Sequence, residues 1–135
     1  MNRFFLVAAI PALLFPGLAS AADLSGTWRG VIEVNHGGGA PTVNAPVRLR
    51  LKQKGNALTG DIGHEGADMK PVPIQSGRID GNEIYFEASS EETNGPIRFR
   101  LKLEGKRLTG QMRGAVEQGP ISGRVDLTPE TDRTP

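Results

Sequence analysis

Apolar and polar residues alternate along most of the chain, the pattern of β-strands that bury one face. The clearest run is residues 47–54, where Val47, Leu49 and Leu51 alternate with basic residues. Beyond residue 21, no stretch shows the sustained apolar spacing of a helix. We therefore predict an all-β protein with strands at residues 24–34, 47–54, 57–63, 72–80, 83–89, 97–104, 107–113 and 119–127.

The chain contains two copies of one segment. Residues 47–60 (the first copy) recur as residues 97–110 (the second copy), and each copy ends in Leu-Thr-Gly. Further on, Ser-Gly-Arg-Ile-Asp at 76–80 recurs as Ser-Gly-Arg-Val-Asp at 122–126. This repetition predicts an internal duplication. Eight short antiparallel strands form either an up-and-down barrel or a sandwich, and we expect the eight-stranded antiparallel barrel because closure removes exposed strand edges.

One irregularity in the repeat predicts a local distortion of the fourth strand. Ile74 and Ile79 are five positions apart, whereas their counterparts Ile121 and Val125 are four apart. Because neighbouring residues of a strand face opposite sides, odd spacing cannot bury both isoleucines in a regular strand. Either a β-bulge at residues 75–76 brings both inside, or Ile74 faces solvent.

The N-terminus is typical of a secretory signal peptide. Arg3 precedes a short apolar run at residues 4–14, and small residues suited to cleavage follow. The run is shorter than the roughly 20 residues that a membrane span requires. We predict a cleaved signal peptide at 1–21, a β-barrel domain at 22–128 and a disordered tail at 129–135, which would place the protein in the periplasm or outside the cell.

Composition excludes several classes of function. The chain has no Cys, which rules out a lipoprotein anchor, disulfide bonds and thiol chemistry. It carries 16 Lys plus Arg and 15 Asp plus Glu, so loss of a signal peptide containing Arg3 would leave the charges balanced. Balanced charge argues against nonspecific nucleic-acid binding and against attraction to anionic membranes.

The first strand carries the motif Gly26-Thr27-Trp28. A Gly-x-Trp at this place resembles the calycin superfamily, which includes the lipocalins, fatty-acid-binding proteins and avidins. In those barrels the Trp plugs one end, and an Arg from the last strand packs over its ring, a favourable cation–π arrangement. The resemblance therefore implies a structural plug made of Gly26, Trp28 and Arg124. A similar opening occurs in small periplasmic inhibitors of metalloproteases, which carry a disulfide that this chain cannot form.

Candidate catalytic residues are few. Only His36 and His64 are of a residue type that could act as a base at neutral pH, and both lie in or beside Gly-rich loops. There is no Gly-x-Ser-x-Gly motif and no Cys nucleophile. A metal site at His64, Glu65 and Asp68 would sit on one loop without fixed geometry. We expect no enzymatic activity, no cofactor and no metal.

Both copies of the repeated segment carry basic residues at positions predicted to face outward. We call these residues the two basic stripes. The first consists of Arg48, Arg50 and Lys52, and the second of Arg98, Arg100 and Lys102. One interpretation makes them a surface that binds an anionic polysaccharide. The other makes them partners of acidic residues on neighbouring strands, where opposite charges stabilise a sheet by a few tenths of a kcal/mol each.

We expect a lipocalin-like, non-enzymatic exported barrel that binds a small apolar ligand. The alternatives are a periplasmic protein-interaction module, such as a protease inhibitor, or an anionic-polysaccharide binder. The partner is thus an unknown small apolar molecule or a periplasmic protein, with no nucleic acid and no membrane span. Inward glycines at 60, 110 and 123 are expected to leave room for a cavity. The candidate ligand-binding residues are Trp28, Leu49, Phe86, Phe99 and Met112.

Overall fold

The computed structural model describes residues 23–65 and 70–130, and this part of the chain is an all-β barrel. Each strand pairs antiparallel with the next one along the chain, and the last strand pairs with the first, so the sheet is closed. The predicted fold class and the choice of barrel over sandwich are confirmed. The strands are β1 (Gly26–Asn35), β2 (Val43–Lys54), β3 (Ala57–His64), β4 (Val72–Asp80), β5 (Glu83–Ala88), β6 (Ile97–Glu104), β7 (Arg107–Val116) and β8 (Gly119–Pro129).

The observed strands overlap the predicted ones, and the largest differences lie at one end of the barrel. β2 begins at Val43 rather than at residue 47, and β7 continues to Val116 rather than ending at 113. Both extensions lie at the end where β1 pairs Val34 with Val43. Inward positions there hold small residues, Ala45 in β2 and Gly114 in β7, which weakens the alternation that predicts strands.

The boundaries of the barrel differ little from those expected. The predicted signal peptide lies outside the described residues. Pro129 belongs to β8, so the barrel includes the first residue of the predicted tail, and residues 131–135 are not described. Among the described residues, no helix is long and apolar enough to cross a membrane.

Inward side chains from all eight strands form one core. Leu49 and Leu108 have no exposed surface, and Phe86 stacks on Phe99 with ring centroids 4.6 Å apart. Burying each such large apolar side chain stabilises the fold by about 1.5–3 kcal/mol. Because the chain contains no cysteine, no disulfide contributes to this stability.

A β-bulge interrupts β4 where the repeat is irregular. The register between β4 and β5 shifts between Gln75 and Arg78, and Ser76 has a left-handed backbone with φ of 57°. Ile74 is buried, and Ile79 packs against the core as a partly buried residue. The bulge is confirmed, and it places both isoleucines on the inner side of the barrel.

Glycines at inward positions allow strands to approach closely rather than leave empty space. A Cβ at Gly60 would collide with the carbonyl oxygen of Arg50, and one at Gly110 would collide with that of Arg100. At Gly123, a Cβ would lie 2.6 Å from the carbonyl oxygen of Glu33. The expectation that these glycines make a cavity is wrong, because neighbouring backbone fills the space.

Candidate functional site

One end of the barrel is closed by the segment that precedes β1. Leu24 is 3% exposed and covers Trp28, whose indole Nε1 donates a hydrogen bond of 3.0 Å to the Leu24 carbonyl. The Leu24 amide in turn donates to the Gln53 side-chain oxygen at 2.8 Å. This hydrogen-bonded cover leaves the buried indole N–H satisfied, as a buried polar group requires.

Arg124 takes no part in this plug. Its side chain is exposed on the outer face of β8, and its partner position on β1 is Glu33. Trp28 instead lies opposite Pro129, five residues farther along β8, and points into the barrel. The predicted packing of Arg124 over the indole ring is therefore wrong, because the two side chains lie on opposite faces of the sheet.

The other end of the barrel is open and leads into a cavity of about 390 Å³. We call this space the mouth cavity. Every strand contributes at least one inward apolar side chain to its wall, and the deepest part is bounded by large side chains of β6 and β7. These wall residues are Ile32, Val47, Ile62, Val72, Ala88, Phe99, Met112 and Ile121.

Polar side chains surround the opening of the mouth cavity. His36 follows β1, His64 ends β3, and Lys70 precedes β4. Glu92 and Thr93 come from the loop between β5 and β6. This loop is held against β7, since the Asn94 amide donates to the Ala115 carbonyl at 2.8 Å. The opening is therefore polar around an apolar interior.

Only two of the predicted ligand-binding residues reach the mouth cavity. Phe99 and Met112 line it, whereas Trp28, Leu49 and Phe86 do not. Those three are buried members of the hydrophobic core and do not lie on the wall of the mouth cavity. The structure therefore does not support these three as residues that bind a ligand in the mouth cavity.

Sequence reasoning missed most of the wall. Ile62, Ile97 and Ile121 line the mouth cavity, yet nothing in their spacing distinguishes them from other inward residues. Identifying them needed the relative stagger of the strands, which the alternation pattern does not supply.

A second depression, of about 780 Å³, lies outside the plug. It is formed by the turns between β2 and β3 and between β4 and β5, including Asn56 and Asn82. Leu24 separates it from the packed core. Its remaining walls come from the segment before β1 and from the ends of β2, β4, β5 and β6, so it is a hollow in the plugged end and lies outside the barrel interior.

Acidic residues on and just after β3 pair with two members of the first basic stripe, Arg48 and Arg50. Arg50 donates two hydrogen bonds to Asp61, at 3.1 and 3.0 Å, and Arg48 lies 3.2 Å from Glu65. Arg29 also pairs with Glu65, and this hydrogen-bonded contact lowers the pKa of the Glu65 carboxyl. The charge-pairing interpretation therefore holds for Arg48 and Arg50.

The carboxylate of the loop that was considered for a metal ion already forms ion pairs with arginines. Glu65 is bound by two arginines, and Asp68 lies outside the described residues. In the portion of the chain that the structure describes, no three His, Cys, Asp or Glu side chains are grouped as a metal site requires.

The chain matches no protein-family model, and neither a curated protein nor a solved structure shows significant similarity to it. The function must therefore be argued from the geometry of this barrel.

Proposed function

We propose that this protein is an exported, non-enzymatic barrel that binds one small apolar molecule in the mouth cavity. The observation that carries the proposal is the contrast between the two ends. One end is sealed by Leu24 over Trp28, whereas the other opens through a polar rim into an apolar space. A binding protein for small molecules needs such a pocket, with apolar walls and a few polar groups at its edge.

The volume of the mouth cavity limits the size of the ligand. Its 390 Å³ lies toward the lower end of the about 300–1,000 Å³ typical of ligand pockets. An apolar cavity of about 150 Å³ holds one benzene molecule. The ligand that fits best is therefore a molecule the size of two fused rings, or a short acyl chain.

The walls also limit the chemistry of the ligand. Within the described residues, no polar or charged side chain is buried, so the deep part of the ligand must be apolar. Polar groups are available only at the rim, at residues such as His64 and Lys70. An amphiphilic ligand would thus bury its apolar body near Phe99 and leave its polar end at the opening.

Titration with an environment-sensitive naphthalene dye tests this proposal. The wild-type protein should give a saturable fluorescence increase with one site. Ile121→Trp adds volume to the wall of the mouth cavity and should reduce dye affinity by about tenfold or more, as expected when favourable apolar burial is lost. Val31→Trp, on a residue that is 40% exposed, is the matched control and should bind as the wild type does.

Two results would contradict the proposal. The first is a wild-type protein that shows no saturable dye signal. The second is an Ile121→Trp variant that folds and still binds the dye with wild-type affinity, since the dye would then occupy another surface such as the hollow outside the plug.

A further inference from the structure

Two arginines flank one tyrosine on the outer surface of β4, β5 and β6. Arg78, Tyr85 and Arg100 occupy partner positions on these adjacent strands. The guanidinium carbons of Arg78 and Arg100 lie 4.5 and 5.4 Å from the centre of the Tyr85 ring. Such cation–π contacts orient a guanidinium while leaving N–H groups at its edge free to donate hydrogen bonds.

A second pair of arginines extends this surface. Arg98 on β6 lies directly opposite Arg113 on β7, although like charges at partner positions destabilise a sheet. Arg98 contacts Glu87 at 3.4 Å, but its side chain remains 74% exposed. Among the described residues, no acidic side chain forms an ion pair with Arg113. We call the groove of about 540 Å³ between these side chains the arginine groove: it contains Arg78, Arg98, Arg100, Arg113, Tyr85, Glu87 and Gln111.

The two copies of the repeated segment differ in the residue that lies opposite the equivalent arginines Arg50 and Arg100. Arg50 of the first copy lies opposite Asp61 and pairs with it at 3.0 Å. Arg100 of the second copy occupies the corresponding position and lies opposite Gln111. A neutral amide thus replaces the carboxylate, which leaves the Arg100 guanidinium without a countercharge from β7.

A similar difference is found at the next outward-facing position, where Arg48 and Arg98 are equivalent. Arg48 lies opposite Gly63 and pairs with Glu65, two residues farther on. In the second copy, the residue opposite Arg98 is Arg113, and the residue two positions farther on is Ala115. The second copy therefore lacks both acids and gains a cation at the same place.

We propose that the arginine groove binds a linear anionic polysaccharide through its carboxylate or sulfate groups. This inference is independent of the mouth cavity, which lies inside the barrel. Guanidinium groups donate paired hydrogen bonds to planar oxyanions, and four of them line this groove with one carboxylate, that of Glu87. The neighbouring Glu83 accepts a hydrogen bond from the Tyr85 hydroxyl. Neighbouring strands are about 4.8 Å apart, a spacing comparable to the length of one sugar unit in a chain.

The geometry favours a polysaccharide over other polyanions. The arginines span β4 to β7 of a closed eight-stranded barrel, so their surface is convex and a flat membrane cannot contact all of them. Guanidiniums already lie over the Tyr85 ring, and the two phenylalanines that border the groove, Phe86 and Phe99, are buried, so the groove offers no open aromatic platform for stacking nucleic-acid bases. A closed barrel also offers no strand edge to which an acidic peptide could add.

The test compares matched substitutions in the two copies. Binding to heparin, which is sulfated, and to polygalacturonate, which carries carboxylates, is measured at about 0.1 M salt, where charges are screened beyond about 10 Å. Gln111→Asp restores the missing acid without removing an arginine, and it should weaken binding by about tenfold, the loss of one charge-assisted contact. Arg100→Gln should have a similar effect. The control Arg50→Gln removes an arginine that is already paired, and it should change affinity less than about twofold.

Each outcome decides the proposal. Binding of heparin, polygalacturonate or both, with the loss confined to Gln111→Asp and Arg100→Gln, supports it. Equal losses for Arg50→Gln and Arg100→Gln would overturn it, because binding would then depend only on total charge. Absence of binding to both polysaccharides, or tighter binding of single-stranded DNA or polyglutamate, would also overturn it. Dye binding in the mouth cavity should be unchanged in Gln111→Asp, which separates a failure here from a failure of the proposed function.

Discussion

Trp28 offers the sharpest test of how this barrel is closed. Its side chain is 6% exposed, so Trp28→Ala removes nearly the whole contact area of an indole from the core. An aromatic side chain buries about 150–250 Å², which at about 25 cal/mol per Å² corresponds to about 4–6 kcal/mol. Part of that is recovered because Ala keeps the Cβ and the surroundings relax. We therefore expect the free energy of unfolding to fall by about 3–5 kcal/mol, the usual range for buried aromatics.

A second substitution separates packing from hydrogen bonding. Trp28→Phe keeps an aromatic ring in the plug but leaves the Leu24 carbonyl without the indole donor that lies 3.0 Å away. An unmade hydrogen bond to a buried group costs about 1–3 kcal/mol. The free energy of unfolding should therefore fall by about 1–3 kcal/mol, less than for Trp28→Ala.

Both variants are measured by urea denaturation followed by circular dichroism. Tryptophan fluorescence is unsuitable, because Trp28 is the only tryptophan of the chain. Val43→Ala, at a residue that is 51% exposed, provides the control and should change the free energy of unfolding by less than about 0.5 kcal/mol. A loss below about 1 kcal/mol for Trp28→Ala would refute the plug, since an indole that costs so little to remove is not packed.

Three further predictions concern stability. Gly110→Ala should lower the free energy of unfolding by about 1–3 kcal/mol in urea denaturation, because its Cβ would collide with the Arg100 carbonyl; a loss of less than about 0.5 kcal/mol would show that the strands are farther apart. Ser76→Gly should stabilise the protein by up to about 1 kcal/mol, because the left-handed backbone at the bulge suits glycine; calorimetry showing destabilisation would contradict this explanation. The contact with Arg29 lowers the pKa of Glu65 below its ordinary value of 4.5, so the stability that it provides is complete above that pH and is lost as the pH falls through the lowered pKa. Melting temperatures should therefore fall less steeply on acidification in Glu65→Gln than in the wild type, and identical pH profiles would contradict this role.

Much of the fold follows from local rules that the sequence displays. Alternation along Val47, Leu49 and Leu51 fixes the inner face of β2, and the odd spacing of Ile74 and Ile79 reveals the bulge. In both cases the inference depends on neighbours within a strand, where the geometry has a strict period of two.

Other features depend on distances between strands, and for these sequence reasoning failed. Gly110 faces inward as predicted, but whether the space beside it is empty depends on how closely β6 and β7 approach. The resemblance to the calycin barrels placed Arg124 over Trp28, but the register of β1 and β8 separates the two residues and their side chains lie on different faces. Register and stagger are set by the closed barrel as a whole, so a single strand does not reveal them.

The sequence indicated an apolar interior but not where its empty part lies. Large inward residues such as Leu49 and Phe86 suggested a lining, yet they are packed in the core and do not border the mouth cavity. The empty part lies at the mouth, where the wall includes smaller side chains such as Ala88 and Val72. Which inward residues pack and which surround a cavity depends on position along the barrel axis.

The most direct test of the central claim is methyl NMR of the protein with and without a small naphthalene ligand. Binding in the mouth cavity predicts chemical-shift changes for the methyl groups of Ile62, Ile121 and Met112, which line it. The methyl groups of Leu58 and Leu108, which are buried but do not line the cavity, should remain unshifted. No saturable shifts, or shifts confined to residues outside the mouth cavity, would contradict a ligand-binding role for the open end.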